Sequence, residues 1–272
     1  MNDTEVVALV DTTRDELRDR IAQALARFDR LARAADPQAQ LPGSTWNVQQ
    51  TVAHVLTIAQ RYLHEQQGDS RLVAHPREVN VLNQNELEAA LAPVWELADQ
   101  IQAVAPELDA LFDTVANEPP VLPFHCGAHV DGITWQTNWL GEMLIHGRDI
   151  ARAAEAPWEV PERDMLLIAR GMMQIAHAYV RTTIPPRTDI CVAIDIPGAR
   201  PYLIHIHDGI GELRVRHHND RPDAVLRVPA STLTLLFYQR IGHFMAARHG
   251  LRVIGGRRPW LAFKLIACFE AP

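Results

Sequence analysis

Three side chains in this sequence have the types and spacing of a metal centre: His54 on one amphipathic segment, and Glu142 and His146 in the run Glu142-Met-Leu-Ile-His146 much later. On a helix of 3.6 residues per turn, positions i and i+4 share a face, so Glu142 and His146 project side by side. His54 can add a third donor from a neighbouring helix. Two imidazole nitrogens and one carboxylate oxygen form a typical catalytic zinc set, with a fourth position left for water or substrate. A bland alternative exists, because i,i+4 polar pairs also stabilise helix faces and thirteen histidines make such pairs easy to find. The context of His54 favours the metal. In Trp46-Asn47-Val48-Gln49-Gln50, Asn47 can cap a helix and Gln50 can close a capping box. Val48, Val52, Val55, Leu56 and Ala59 then mark an apolar stripe that sets His54 at or beside the core, where an imidazole needs a partner.

The elements that must position these residues follow from periodicity. The first part of the chain reads as helices near 12–35, 47–67, 85–105 and 134–154. The third is expected to stop before Pro106 and the fourth before Pro157. Four long helices suggest a bundle in which ligands from facing helices converge on the interior. After a helix near 163–182 the period changes. Residues 189–195, 202–207, 212–216 and 224–228 are strand candidates separated by Pro-Gly, Asp-Gly and Asn-Asp turn signals, which reads as an antiparallel sheet. Helical spacing returns at 231–240 and 259–269. The fold class expected is α+β, with a helical bundle over 1–160 and a smaller α+β domain over 161–272.

Composition narrows the function classes. Of 272 residues, 47% are hydrophobic, with 33 acidic and 26 basic side chains. Residues 1–161 carry 24 acidic against 11 basic groups, whereas 162–272 carry 9 against 15. An acidic first half argues against a nucleic-acid partner, which demands a basic footprint. No apolar run reaches the roughly 18 residues of a membrane span, so no membrane association is expected. The acidic Met-Asn-Asp-Thr-Glu start lacks a secretory pattern, and Cys126, Cys191 and Cys268 imply no disulfide framework. The expected compartment is the cytoplasm.

Further candidates read more plainly. His125-Cys126-Gly-Ala-His129 follows prolines in a loop and offers no fourth partner; His205 and His207 share one strand face, which reads first as a solvated face; His217-His218 adjoins a turn. Asp149, three residues after His146, can orient a ligand from behind or simply solvate the helix.

The Trp46–His54 segment, Glu142-x-x-x-His146-x-x-Asp149-Ile150-Ala151, Pro157-Trp158 and Gly255-Gly-Arg-Arg-Pro-Trp260-Leu-Ala together resemble the mycothiol-dependent maleylpyruvate isomerase family. The resemblance covers nearly the whole chain, although 68–123 matches nothing in it. It implies a DinB-like four-helix metal-binding domain joined to a C-terminal domain like sterol carrier proteins, in a cytoplasmic actinobacterial enzyme. It also implies that His54, Glu142 and His146 are zinc ligands and that mycothiol is the thiol cofactor. Zinc would lower the thiol pKa so that the thiolate forms near neutral pH without a protein base. Two outcomes stay open. The thiolate can add to a cis-unsaturated dicarboxylate, permit rotation and leave, which is isomerisation, or it can displace a leaving group on a small-molecule electrophile and remain attached, which is S-transfer. A non-catalytic metal- or small-ligand-binding protein is the alternative. Arg257 and Arg258 are candidates for a positive wall facing substrate carboxylates, since guanidinium meets carboxylate bidentately. The same Arg-Arg-Pro-Trp run can instead begin a helix, with Trp260 in the core. The sequence leaves oligomeric state open.

Overall fold

The computed structural model describes residues 7–116 and 119–270. Met1–Val6, Asn117, Glu118, Ala271 and Pro272 lie outside the described residues, and with them the acidic start read above for its lack of a secretory pattern. The chain divides into two compact units, one of residues 12–164 and the other of 165–270 together with the early segment 7–11.

The first unit is helical. Helix α1 (Arg14–Ala34) is capped by Thr13, whose side chain accepts from the Glu16 amide. Its inward face carries Leu17, Ala24, Phe28 and Ala32. Helix α2 (Val48–Gln66) begins at Asn47, and α3 (Pro76–Ala89) and α4 (Val94–Val115) follow. A two-strand ladder, β1 (Leu122–Pro123) with β2 (His129–Val130), precedes α5 (Gly132–Ala153). Helices α1, α2, α4 and α5 pack on one another as the four members of a bundle, and α3 lies against α2. Phe28, Phe112 and Trp139 are almost fully excluded from water in its core. Burial of each is worth about 1.5–3 kcal/mol or more.

The helix expected over 85–105 is instead two helices broken at Ala90–Pro93. Proline disfavours the α conformation of the residue before it but suits a helix start, so Pro93 divides α3 from α4. Pro106 does not end α4. It lies inside the helix and forfeits one hydrogen bond, while Leu108, Leu111 and Phe112 beyond it are buried and hold the last turns in place.

After α6 (Glu162–Ile175), whose first three residues belong to the first unit, the second unit forms a five-stranded sheet of β3 (Asp189–Asp195), β4 (Tyr202–His207), β5 (Ile210–Val215), β6 (Ala224–Arg227) and β7 (Arg252–Gly255). The strand order is β5-β4-β3-β6-β7. The expectation of an antiparallel sheet needs correction, because β6 runs parallel to β3, with Val192 opposite Ala224. A parallel neighbour requires a crossover, and here the chain leaves β3, forms the β4–β5 hairpin and returns on the other side of β3. Alternation puts Ile190, Val192, Ile194, Ile204 and Ile206 into the core. The short helices α7 (Ala230–Phe237), α8 (His243–Arg248) and α9 (Ala262–Leu265) complete this unit, so the α+β class holds. Among the described residues no helix is long and apolar enough to cross a membrane.

Candidate metal centre

The start of α2 is fixed by a reciprocal cap. Asn47 Oδ1 accepts from the Gln50 amide at 2.9 Å, and Gln50 Oε1 accepts from the Asn47 amide at 2.9 Å. That register turns His54 into the bundle, where its residue exposure is 3%. The start of α5 is fixed similarly by Asp131, which accepts from the Thr134 amide at 2.6 Å. Further along α5, Gly147 provides room for Trp158, since a Cβ at this position would lie 2.3 Å from the indole ring. Trp158 Nε1 donates to the Leu144 carbonyl at 3.0 Å, and the Arg27 guanidinium stacks on its ring at 4.4 Å. The Pro-Trp pair of the sequence thus braces the helix turn that bears His146.

His54 Nε2 and His146 Nε2 each lie 3.3 Å from the same atom, Glu142 Oε2. One donor atom from each of the three residues falls within 4.8 Å of the others. Yet Glu142 Oε2 is buried without an aligned hydrogen-bond donor. A tetrahedral ion with ligands at about 2.0–2.1 Å separates them by about 3.3 Å, so these spacings suit donors that converge on a cation rather than bond to one another. The His54 and His146 rings meet edge to face at 5.0 Å. Trp46 covers them, with its ring 4.9 Å from His54 and 6.3 Å from His146, and its Nε1 donates to Gln84 Oε1 on α3 at 2.8 Å.

The electrostatics fit ligation. Burial pushes the His54 pKa down against the upward pull of Glu142, which keeps the imidazole neutral with a lone pair available. Burial alone would raise the Glu142 carboxyl, but His146 and His54 outweigh it and hold the group below the usual carboxylate range. Asp149, buried on α5, approaches His146 Nδ1 at 3.9 Å, an ion-pair distance rather than a hydrogen bond.

A polar cluster that sequence reasoning missed continues from this centre. Arg61 lies seven residues after His54, on the same face of α2 and about 10 Å along the axis. It donates to Asn83 Oδ1 at 2.8 Å, contacts His125 Nε2 at 3.0 Å and pairs with Glu86. His125, read above as a loop residue, is buried, and its pKa falls to about 4 through burial and the Arg61 charge. On α5, Asn138 stands one turn before Glu142 and donates to the Tyr62 hydroxyl at 2.9 Å. The i+7 spacing of Arg61 from His54 was the one signal available in the sequence.

The remaining candidates fall elsewhere. Arg258 Nε and Nη2 grip the two carboxylate oxygens of buried Asp223 at 2.8 and 2.7 Å, and Arg257 Nη2 adds a contact at 3.1 Å. Gly256 makes this possible. Its φ is +112°, and a Cβ there would come within 2.2 Å of the Asp223 carbonyl. Trp260 is not in the core as the helix-start reading expected; it is 61% exposed, because the short turn Pro259–Leu261 buries Leu261 instead. His217 joins a turn in which its amide donates to Asp220 at 2.6 Å. The Cys126 thiol is pushed up to about 11 by burial and Glu78, and burial likewise raises Cys191 and Cys268, so none is poised as a nucleophile.

No family model matches the chain, and no curated protein matches it. Among solved structures the chain is similar to the mycothiol-dependent maleylpyruvate isomerase, with a TM-score of 0.52 and 13% identity over 90% of this chain and 97% of that one. It is equally similar to a histidine-to-alanine mutant of that isomerase, with a TM-score of 0.52 and 12% identity over the same shares. The two proteins share a fold.

Proposed function

We propose that this chain is a zinc-dependent enzyme that uses mycothiol as its thiol cosubstrate, with His54, Glu142 and His146 as the metal ligands. One observation carries the reading: a buried carboxylate oxygen shared at 3.3 Å by two imidazole nitrogens, within the fold of a mycothiol-dependent isomerase. When bound, zinc supplies a Lewis acid that lowers the pKa of an incoming thiol into the neutral range.

The protein's own residues set up that chemistry. Glu142 contributes the single negative charge of the donor set, so a divalent ion held by the three residues would keep a net positive charge toward an anionic sulfur. Trp46 shields one side of the histidine pair from water, which strengthens the electrostatics within. The seam of Arg61, Asn83, Glu86 and His125 offers polar partners at the distance of a small molecule's length. Either outcome of thiol attack fits this arrangement: addition to and release from a maleylpyruvate-like dicarboxylate, or S-transfer to another small electrophile. Arg257 is our candidate for a substrate carboxylate, because Asp223 engages only one of its nitrogens and its side chain is 62% exposed.

Elemental analysis of protein purified without added metal tests the reading. About one zinc per chain in the wild type, lost in His54→Ala, is expected. No metal in either protein would sink it and leave a small-ligand-binding protein in first place. With turnover in hand, product mass spectrometry separates a conjugate from an isomer, and Arg257→Ala should raise KM for a carboxylate substrate without lowering kcat.

A further inference from the structure

The second unit carries its own cluster of metal-binding side chains on the sheet face opposite the isoleucine core. His205 and His207 stand at alternate positions of β4 and so share a face. Glu212 on β5 is the register partner of His205, which places it on that face as well. The two imidazole rings lie 4.4 Å apart, and His207 Nε2 is 3.4 Å from Glu212 Oε1. One donor atom from each of the three residues lies within 4.8 Å of the others. Asp189, across from His207 on β3, reaches His205 Nε2 at 2.9 Å and offers a fourth donor.

We propose that this face is a second divalent-metal site, with His205, His207 and Glu212 as ligands and Asp189 completing the set. Two imidazoles with carboxylates select borderline ions such as Zn2+, Cu2+ or Ni2+ over Mg2+ and Ca2+, which want oxygen alone. The backbone ladder already fixes the spacing of the three strands, so binding needs only side-chain rotation. For Zn2+, which takes four ligands in structural sites, four donors from three strands would complete the set, so the site is structural. It would tie β5, an edge strand with one hydrogen-bonded neighbour, to the centre of the sheet. Nothing in this inference depends on the centre in the helical unit.

The test is a Zn2+ titration of the full chain, stripped of metal, against a chromophoric competing chelator. Wild type should take up two equivalents and His54→Ala one. His207→Gln should keep the tighter site and lose the weaker one, with at least about a tenfold drop in affinity there. Its retention of the tight site shows that it is folded, and Glu212→Gln should give the same result. Zinc should also slow amide exchange over 210–215 in the wild type and not in His207→Gln. Two equivalents in His207→Gln, or none in His54→Ala, overturns the proposal. If wild type and His54→Ala each bind one equivalent and His207→Gln binds none while keeping the wild-type urea midpoint, the helical centre fails and this site stands.

Discussion

Asp223 in the sheet unit and Glu142 in the helical unit each hold a carboxylate oxygen out of water, and the two are provided for in opposite ways. Asp223 in the sheet unit is fully buried and meets four N–H donors: two from Arg258, one from Arg257 and the Cys191 amide at 3.1 Å. Glu142 in the helical unit faces only two imidazole nitrogens, and its inner oxygen has no aligned donor. A buried charge needs compensation. Asp223 finds its cations within its own unit, so Arg257 and Arg258 have a structural task beside any other. Among the described residues Glu142 has two histidines against its burial and no arginine, which is a thinner set of partners than the one that holds Asp223.

The largest stability effect should come from breaking the satisfied carboxylate. Asp223→Ala should cost about 3 kcal/mol in urea unfolding, because it strands the Cys191 amide and two guanidinium groups, although these can turn toward water. Its zinc content should match wild type; loss of zinc would erase the distinction between the two carboxylates.

Glu16 provides an intermediate case, partly exposed and held by Arg163 at 2.8 and 2.6 Å and by Arg20 at 3.0 Å. Arg163, foremost, against the upward push of burial, lowers its pKa from an ordinary 4.5 to about 2. A depressed carboxylate pKa contributes stability that is complete above the unfolded value and lost as pH falls through the folded one. Glu16→Gln should therefore cost about 2 kcal/mol at pH 7, after allowance for solvent screening, and the gap to wild type should close between pH 5 and pH 2. A gap in urea midpoints that stays constant over that range would count against the ion pair.

The smallest effect should belong to Glu142→Gln in metal-stripped protein. Its loss of stability should be smaller than that of Asp223→Ala, because two histidines rather than two arginines hold the carboxylate and an amide can still donate to an imidazole nitrogen. The same variant should bind no zinc at the helical centre. A large loss of stability in the stripped protein would mean that Glu142 is held by the protein as firmly as Asp223.

What the sequence disclosed follows the range of the interactions involved. Capping at Asn47 and Gln50 and the i,i+4 pair of Glu142 and His146 are local, and both were legible. The break at Pro93 was legible too, but helical periodicity on either side of it masked the signal, whereas Pro106 was given a strength that the buried face of α4 overrides. The parallel seating of β6 beside β3 is decided by tertiary packing, and β7 is only four residues long and ends in glycine. Arg61 draws its partners from residues 83, 86 and 125, so no spacing rule could assemble that cluster. The Arg257–Arg258 pair read as a positive wall for substrate carboxylates because its partner, Asp223, lies over thirty residues away in the chain.

The early segment 7–11 belongs with the sheet unit rather than with the helices that follow it. Leu9 is buried, its carbonyl accepts from the Arg200 amide at 2.9 Å, and the Val7 carbonyl accepts from the Tyr202 hydroxyl at 3.0 Å. The helical unit is therefore an insertion, and its contacts can close while the ribosome is still translating the remainder. The segment ahead of it must wait for strands that emerge almost two hundred residues later, a long loop to close and a slow one. Folding of the two units is thus ordered in time: the bundle that holds His54, Glu142 and His146 can be finished before the sheet has recovered its first piece.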